Sequence, residues 1–426
     1  MANKQLHTPD GVRDTYGVEC TRKLIVQDRM LKRFHLFGYQ DIETPTFEFF
    51  DIFNESKGSV KAKEMFKFFD RDNHTLVLRP DVTPAIARCA AKYFLDEDMP
   101  IRLCYMERTF INHSSYQGRL KEASQTGSEL IGDDSPEGDA EILVMVIEAL
   151  KAAGLTDFQI ELGEVDFFKG LLEEAGMDGE MEEALKELIE NKNFFGVEEL
   201  VTAQSISEEL KQVFLKLPEL FGSLEQIQAA KNLTNNQRAH RAIERLLEVH
   251  RILQCYGVAD YVSYDLGMLS QYQYYTGIIF KAYTYGTGDY IVNGGRYDGL
   301  LKQFGKDAPA VGFGISVDDL LLALNRQNIE TEVSMAHTVI LYEPESRDQA
   351  IALAGHFRHY NEAVVLQMKI PDRSVDSYGE YAIRRNIKNL LYLNKSGKTV
   401  MAINLLLGTT DVLPLSEYLQ ETGEKP

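Results

Sequence analysis

Residues 267–280 read GMLSQYQYYTGIIF, and residues 294–299 read GGRYDG. The first run has the apolar ends of a strand, but its middle holds Ser270, Gln271, Gln273 and three tyrosines. Buried polar groups are costly unless something satisfies them. Either the tyrosine hydroxyls close on one another in a core, or they face a ligand. The second run sets two adjacent glycines in a strand, which suits a tight bend at a sheet edge or the close approach of a backbone or ligand. It lacks the GK[ST] ending of a phosphate-binding loop. Two such strands so near each other in the chain point to the floor of a pocket.

Working outward, the first 165 residues alternate element types. Arg22 to Phe37 reads as an amphipathic helix with Leu24, Ile25, Met30, Leu31 and Phe34 at helical spacing and Gly38 as its stop. The run 39–53 is extended around Pro45, and 65–81 is a hairpin turning at 71–74. TPAIARCAAKY is a helix with Thr83 as N-cap and Pro84 at its first position. Ser135-Pro136 opens another, with an apolar stripe from Ile142 to Leu150. After the strand FQIELG, residues 166–258 are almost wholly helical and acidic, with Gly257 as a C-terminal stop. Strands then resume, so the helices read as an insert between strands of one antiparallel sheet. Periodicity lapses between Asn328 and Ala336, and the tail follows with the order βαβαββα. The predicted organisation is an α+β core of residues 1–165 and 259–330, a helical insertion at 166–258, and a small α/β domain at 336–426.

Composition narrows the function. The 426 residues are 44% hydrophobic and 26% charged, an ordinary globular balance. No apolar run is long enough to cross a bilayer, and MANKQLHTPDGVRD has no apolar secretory core. Cys20, Cys89, Cys104 and Cys255 are scattered, with no paired spacing and no histidine at ligand spacing. That pattern predicts reduced thiols in a cytoplasm and no metal site. A net charge of −20 argues against a broad phosphate-binding surface.

Several polar residues are candidates for a ligand. Gln125 and Glu129, four apart on a strand, point to one face, where an amide and a carboxylate would together suit an ammonium group. The plainer reading is a solvated strand face. Asp81 and Thr83 read first as helix-capping residues. Nothing resembles a Ser–His–Asp or Cys–His nucleophile site.

In order, TPDGVRD, GYQDIETPTFE, LRPDVTP, the GR…Q.G.E loop, YYTG, GGRYDGL and PAVGFGI resemble the histidyl-tRNA synthetase family over nearly the whole chain. The resemblance implies a class II aminoacyl-tRNA synthetase-like antiparallel sheet with flanking helices, the helical insertion, and a C-terminal α/β domain similar to a degenerate anticodon-binding domain. It assigns Asp81, Thr83, Gln125, Glu129, Tyr275 and Tyr297 to the amino-acid pocket. Aminoacylation also needs fixed cations where charge develops on the α-phosphate. At the three places where the family has those arginines stand Ile111, Ser270 and Asp319. Each loss would cost ~3 kcal/mol or more of transition-state stabilisation. A chain with this pocket and without these arginines is similar to the regulatory subunits of ATP phosphoribosyltransferase, synthetase paralogues that work with a short catalytic subunit. That implies no catalysis and no cofactor, a homodimer through the class II core, a hetero-oligomer with the short catalytic chain, histidine as ligand and feedback inhibitor, and no functional tRNA binding. The competing readings are a diverged histidyl-tRNA synthetase and a synthetase-like enzyme forming a free amide.

Overall fold

A computed structural model describes residues 6–53, 60–113, 119–177, 179–191, 193–204, 206–268, 274–333 and 337–421. Ser270, Gln271, Tyr272 and Gln273, which posed the opening question, lie outside the described residues. The chain divides into two compact units, residues 1–331 and 332–426.

The first unit begins with α1 (Gly17–Leu36), β1 (Gln40–Asp41), β2 (Phe47–Phe49), β3 (Lys67–Phe69), β4 (Thr75–Leu78) and α2 (Thr83–Tyr93). It continues with β5 (Ile101–Phe110), β6 (Glu122–Ile131), α3 (Pro136–Ala153) and β7 (Phe158–Glu164). The next stretch holds α4 (Val165–Ala175), α5 (Gly179–Glu190), α6 (Phe194–Thr202), α7 (Glu208–Lys216), β8 (Phe221–Gly222), α8 (Leu224–Ala230) and α9 (Gln237–Cys255). The unit closes with β9 (Val262–Asp265), β10 (Ile278–Thr284), β11 (Val292–Arg296), β12 (Ala310–Ser316) and α10 (Val317–Arg326).

Nine strands form one sheet in the order β1-β5-β6-β12-β11-β10-β7-β9-β8, and β2-β4-β3 form a small second sheet. From β5 to β7 every neighbour is antiparallel, as expected. The two ends differ, because β1 runs parallel to β5 and β7 parallel to β9. The helices between β7 and β9 are therefore a crossover rather than a long hairpin loop, and β8 adds a short edge strand from within them.

Strand alternation divides the sheet into two faces. Cys104, Leu130, Phe280, Val311 and Phe313 pack with α1 and α3 in the main core, along with the buried faces of the inserted helices. Their neighbours Leu103, Tyr105, Ile131, Ile279 and Ala310 pack with α2, Tyr274, Tyr275 and Tyr297 on the other face. Helix α1 starts a turn before Arg22 and turns Val26, Met30 and Phe34 inward, while Leu24 is exposed. The residues before Arg22 carry no apolar stripe, so periodicity could not find that first turn.

The second unit contains β13 (Thr338–Tyr342), α11 (Arg347–His359), β14 (Val364–Met368), α12 (Val375–Arg384), β15 (Asn389–Leu393), β16 (Thr399–Asn404), β17 (Thr409–Pro414) and α13 (Leu415–Glu421). Its sheet has the order β14-β13-β15-β16-β17. The sequence reading missed β17. That strand is an almost fully exposed edge ending in proline, so it shows no apolar alternation.

Candidate functional site

The α2 face of the large sheet collects most of the sequence candidates. Helix α2 begins at Thr83, with Val82 in the capping position and no side-chain cap. The capping role expected of Thr83 is therefore corrected: its hydroxyl donates instead to Glu129 Oε1 at 2.7 Å. Asp81 Oδ1 accepts the Thr83 N–H at 3.3 Å, and the Tyr274 hydroxyl donates to Asp81 Oδ2, also at 3.3 Å. The Tyr297 hydroxyl donates to Glu129 Oε2 in a short hydrogen bond. Tyr274 stands edge-on to Tyr275 and Tyr297, with ring centroids 4.9 Å and 5.9 Å away. Asp81, Thr83, Glu129, Tyr275 and Tyr297 thus form one contiguous cluster around Tyr274, which sequence reasoning had not named as a ligand group.

Glycines make this arrangement possible. Gly295 lies mid-strand in β11, where a Cβ would fall 2.9 Å from the Tyr275 ring and 2.6 Å from the Ile278 carbonyl. On the opposite face, a Cβ at Gly294 would strike the Phe280 ring. The glycine pair is therefore not a bend: it lets two aromatic rings lie against the sheet backbone. On β12, a Cβ at Gly312 would overlap the Glu129 carboxylate, and one at Gly314 would overlap the Gln125 amide.

Those two overlaps locate the heads of Gln125 and Glu129. Gly312 and Gly314 are two strand residues apart, so the heads are separated by roughly 7 Å. They share a face, as the sequence implied, but they are too far apart to hold one nitrogen at hydrogen-bonding distance. They stand as two separate polar groups on that face. Gln125 is half-buried, whereas Glu129 is wholly enclosed. Enclosure pushes the Glu129 carboxyl up to about 8, against the opposing effect of the Tyr297 and Thr83 hydrogen bonds, and nearby Asp81 adds to the rise.

The positions where the resemblance expects arginines have other roles. Asp319 receives the Ser316 hydroxyl at 2.5 Å and returns its own N–H to Ser316 Oγ at 3.4 Å, closing the first turn of α10. Its neighbour Asp318 accepts from Lys23 Nζ at 2.6 Å and from the Ser124 N–H at 2.7 Å. Ile111 is half-buried, and its N–H bonds the Lys121 carbonyl at 3.0 Å. The nearby cations are engaged: Arg108 pairs with Glu122, Arg79 with Glu107, and Arg119 with Asp289.

Other features lay beyond the sequence reading. Asp139 of α3 is fully buried and receives Arg296 of β11 and Arg245 of α9, both at 2.6 Å. This cluster ties the crossover helices to Arg296, the last residue of β11, which immediately precedes Tyr297. A cavity of about 570 Å³ is lined by Lys23, Met106, Arg108, Glu122 and Ser124, among others. Of its strand residues, Met106, Arg108, Glu122 and Ser124 are out of phase with Gln125 and Glu129 and Glu107 is in phase, so most of the strand lining lies on the opposite face, and neither Gln125 nor Glu129 lines it. Among the described residues, the fold also gathers His35, Asp41 and Cys104, and separately Asp70, Asp72 and His74, into groups of potential metal ligands that chain spacing did not reveal. The second group is already satisfied as a turn, since Asp70 accepts from the Asp72 and His74 amides and from the His74 ring. No helix among the described residues is long and apolar enough to cross a membrane.

A family model described as histidyl-tRNA synthetase matches residues 11–320. The ATP phosphoribosyltransferase regulatory subunit of Acetivibrio thermocellus is 38% identical over 420 residues, covering 99% of this chain and 100% of that one. Its counterpart in Ruminiclostridium cellulolyticum is 39% identical over 93% of this chain and 94% of its own. Among solved structures, an ATP phosphoribosyltransferase regulatory subunit/histidyl-tRNA synthetase from Bacillus halodurans superposes with a TM-score of 0.83 at 33% identity, over 91% of this chain and 98% of the other. Histidyl-tRNA synthetase from Nostoc sp. superposes with a TM-score of 0.80 over 98% of this chain and 99% of its own, and at 19% identity it attests the fold alone.

Proposed function

The chain belongs to the family of ATP phosphoribosyltransferase regulatory subunits, built on a histidyl-tRNA synthetase fold, and we propose that it activates a short-form catalytic subunit and makes it sensitive to histidine. The observation that carries this reading is identity along the full length of regulatory subunits, C-terminal unit included. On this reading the chain performs no aminoacylation. Asp319 serves as a helix-start residue and Ile111 is apolar, while the surrounding arginines are held in ion pairs. Neither Ile111 nor Asp319 can supply a fixed cation for a developing phosphate charge.

The histidine site we propose consists of Asp81, Thr83, Gln125, Glu129, Tyr275 and Tyr297. The imidazole lies in the tyrosine-walled end against Glu129, where a carboxyl held largely neutral can hydrogen-bond a ring nitrogen. The α-ammonium is left to the less enclosed Asp81 and Gln125, where a charge-assisted bond contributes most. The chain works in the cytoplasm as a homodimer through its class II core, docks the catalytic chain, and has no functional tRNA complex.

The test is reconstitution with a short catalytic subunit. Adding this chain should raise phosphoribosyl transfer, histidine should suppress it, and histidine-dependent ATP–pyrophosphate exchange should stay at background. Exchange clearly above background would overturn the regulatory reading in favour of a working synthetase. Failure to activate or to co-purify with a short catalytic subunit would count against it directly.

A further inference from the structure

We infer that Tyr105 is a further contact residue of the ligand site, and that its hydroxyl donates to the α-carboxylate of the bound amino acid. The inference rests on the histidine reading and extends it. Tyr105 lies on β5 directly opposite Gly127, on the same sheet face as Glu129. It is only 1% exposed, and its ring packs with Val82, Ile86, Tyr274, Tyr275 and Tyr297. The hydroxyl is buried and has no hydrogen-bond partner among the described residues.

An unpartnered buried hydroxyl destabilises the free protein, so its retention in the middle of a binding surface calls for a use. Its position suggests one. A Cβ at Gly127 would fall 2.6 Å from the Tyr105 oxygen, so the hydroxyl lies over Gly127. Gly127 is midway along β6 between Gln125 and Glu129, whose heads would take the two ends of the ligand. A donor at the midpoint lies beside the Cα–Cβ link between the ammonium and the side-chain ring, and the one hydrogen-bond acceptor that branches from that link is the α-carboxylate on Cα. The hydroxyl stays protonated under all ordinary conditions, since burial and the nearby Glu129 and Asp81 carboxyls hold it well above its usual range. It therefore acts as a neutral donor.

The experiment compares Tyr105→Phe with wild type by calorimetry, using histidine and histamine, which lacks the carboxylate. Histidine affinity should fall roughly ten- to hundredfold, the loss expected for a hydrogen bond to a charged group. Histamine affinity should not change, and the melting temperature of the unliganded variant should equal or exceed that of wild type. An unchanged histidine affinity, an equal loss for both ligands, or a lower melting temperature would each overturn the inference while leaving the histidine site standing. Absence of histidine binding by wild type would instead overturn the site and this inference together.

Discussion

Glu129→Gln should stabilise the protein at alkaline pH relative to its effect at acid pH. The wild-type carboxyl is fully enclosed and raised from an ordinary 4.5 to about 8. A folded state that holds a carboxyl protonated binds more protons than the unfolded chain, so stability falls as pH rises from the unfolded value to the folded one. At 1.36 kcal/mol per pH unit, wild type has lost about 2 kcal/mol through this group by pH 6 and about 4 kcal/mol by pH 8. Glutamine does not titrate, and its amide can still pair with both hydroxyls, because Thr83 and Tyr297 each donate and accept. Any cost of exchanging those hydrogen bonds is the same at both pH values. The stability difference between variant and wild type should therefore shift by about 2 kcal/mol in the variant's favour from pH 6 to pH 8. Glu164, also buried and pushed up to about 8, is present in both proteins and cancels in the comparison. Urea unfolding followed by circular dichroism suits a chain without tryptophan. A variant-minus-wild-type difference that is the same at pH 6 and pH 8 would refute the reasoning, and would mean that Glu129 is already ionised in the free protein.

Asp139→Ala should cost about 3–5 kcal/mol in urea unfolding, because it strands Arg296 and Arg245 beside a buried, emptied position. Arg119→Ala, which breaks an exposed pair, should cost under about 1 kcal/mol in the same assay. Gly312→Ala should destabilise by about 1–3 kcal/mol and abolish histidine binding measured by calorimetry, since the added methyl displaces the Glu129 carboxylate and meets the Ser128 carbonyl at 2.7 Å. Tyr297→Phe should cost about 1 kcal/mol of stability and raise the Glu129 carboxyl further, which would appear as a larger loss of stability between pH 6 and pH 8 than wild type shows.

The helices and strands with a buried stripe were legible from periodicity, as Val26, Met30 and Phe34 illustrate. Elements that bury little were not, and the exposed edge strand 409–414 is the plainest case. The same-face placement of Gln125 and Glu129 followed from the two-residue strand period, but their separation needed the rise per residue and the positions of Gly312 and Gly314. Thr83 was misread because a threonine before proline at a helix start is indistinguishable in sequence from a cap, whereas the fold brings it to a carboxylate 46 residues away. The Asp139 cluster was invisible for the same reason: its arginines lie 106 and 157 residues from it, and nothing local marks a pairing made only by the tertiary packing of two helices and a strand. Tyr105 carried no signal either, since an inward tyrosine in a strand looks like core until its hydroxyl is traced.

The parallel pairing of β7 and β9 limits how short this protein can become. Ile160 is level with Val262 and Leu162 with Tyr264, so the chain leaves β7 at Glu164 and must return about four residues' length, roughly 13 Å, to re-enter beside it. A tight turn joins only antiparallel strands, and a parallel return takes a dozen residues or more. The connection between them can therefore vary in length only while it keeps the dozen or more residues that a parallel return takes. Cutting residues 166–258 down to a loop would not yield a smaller regulatory core. It would force β9 to detach or reverse, and would remove the outer edge of the sheet that supports Tyr275 and Tyr297.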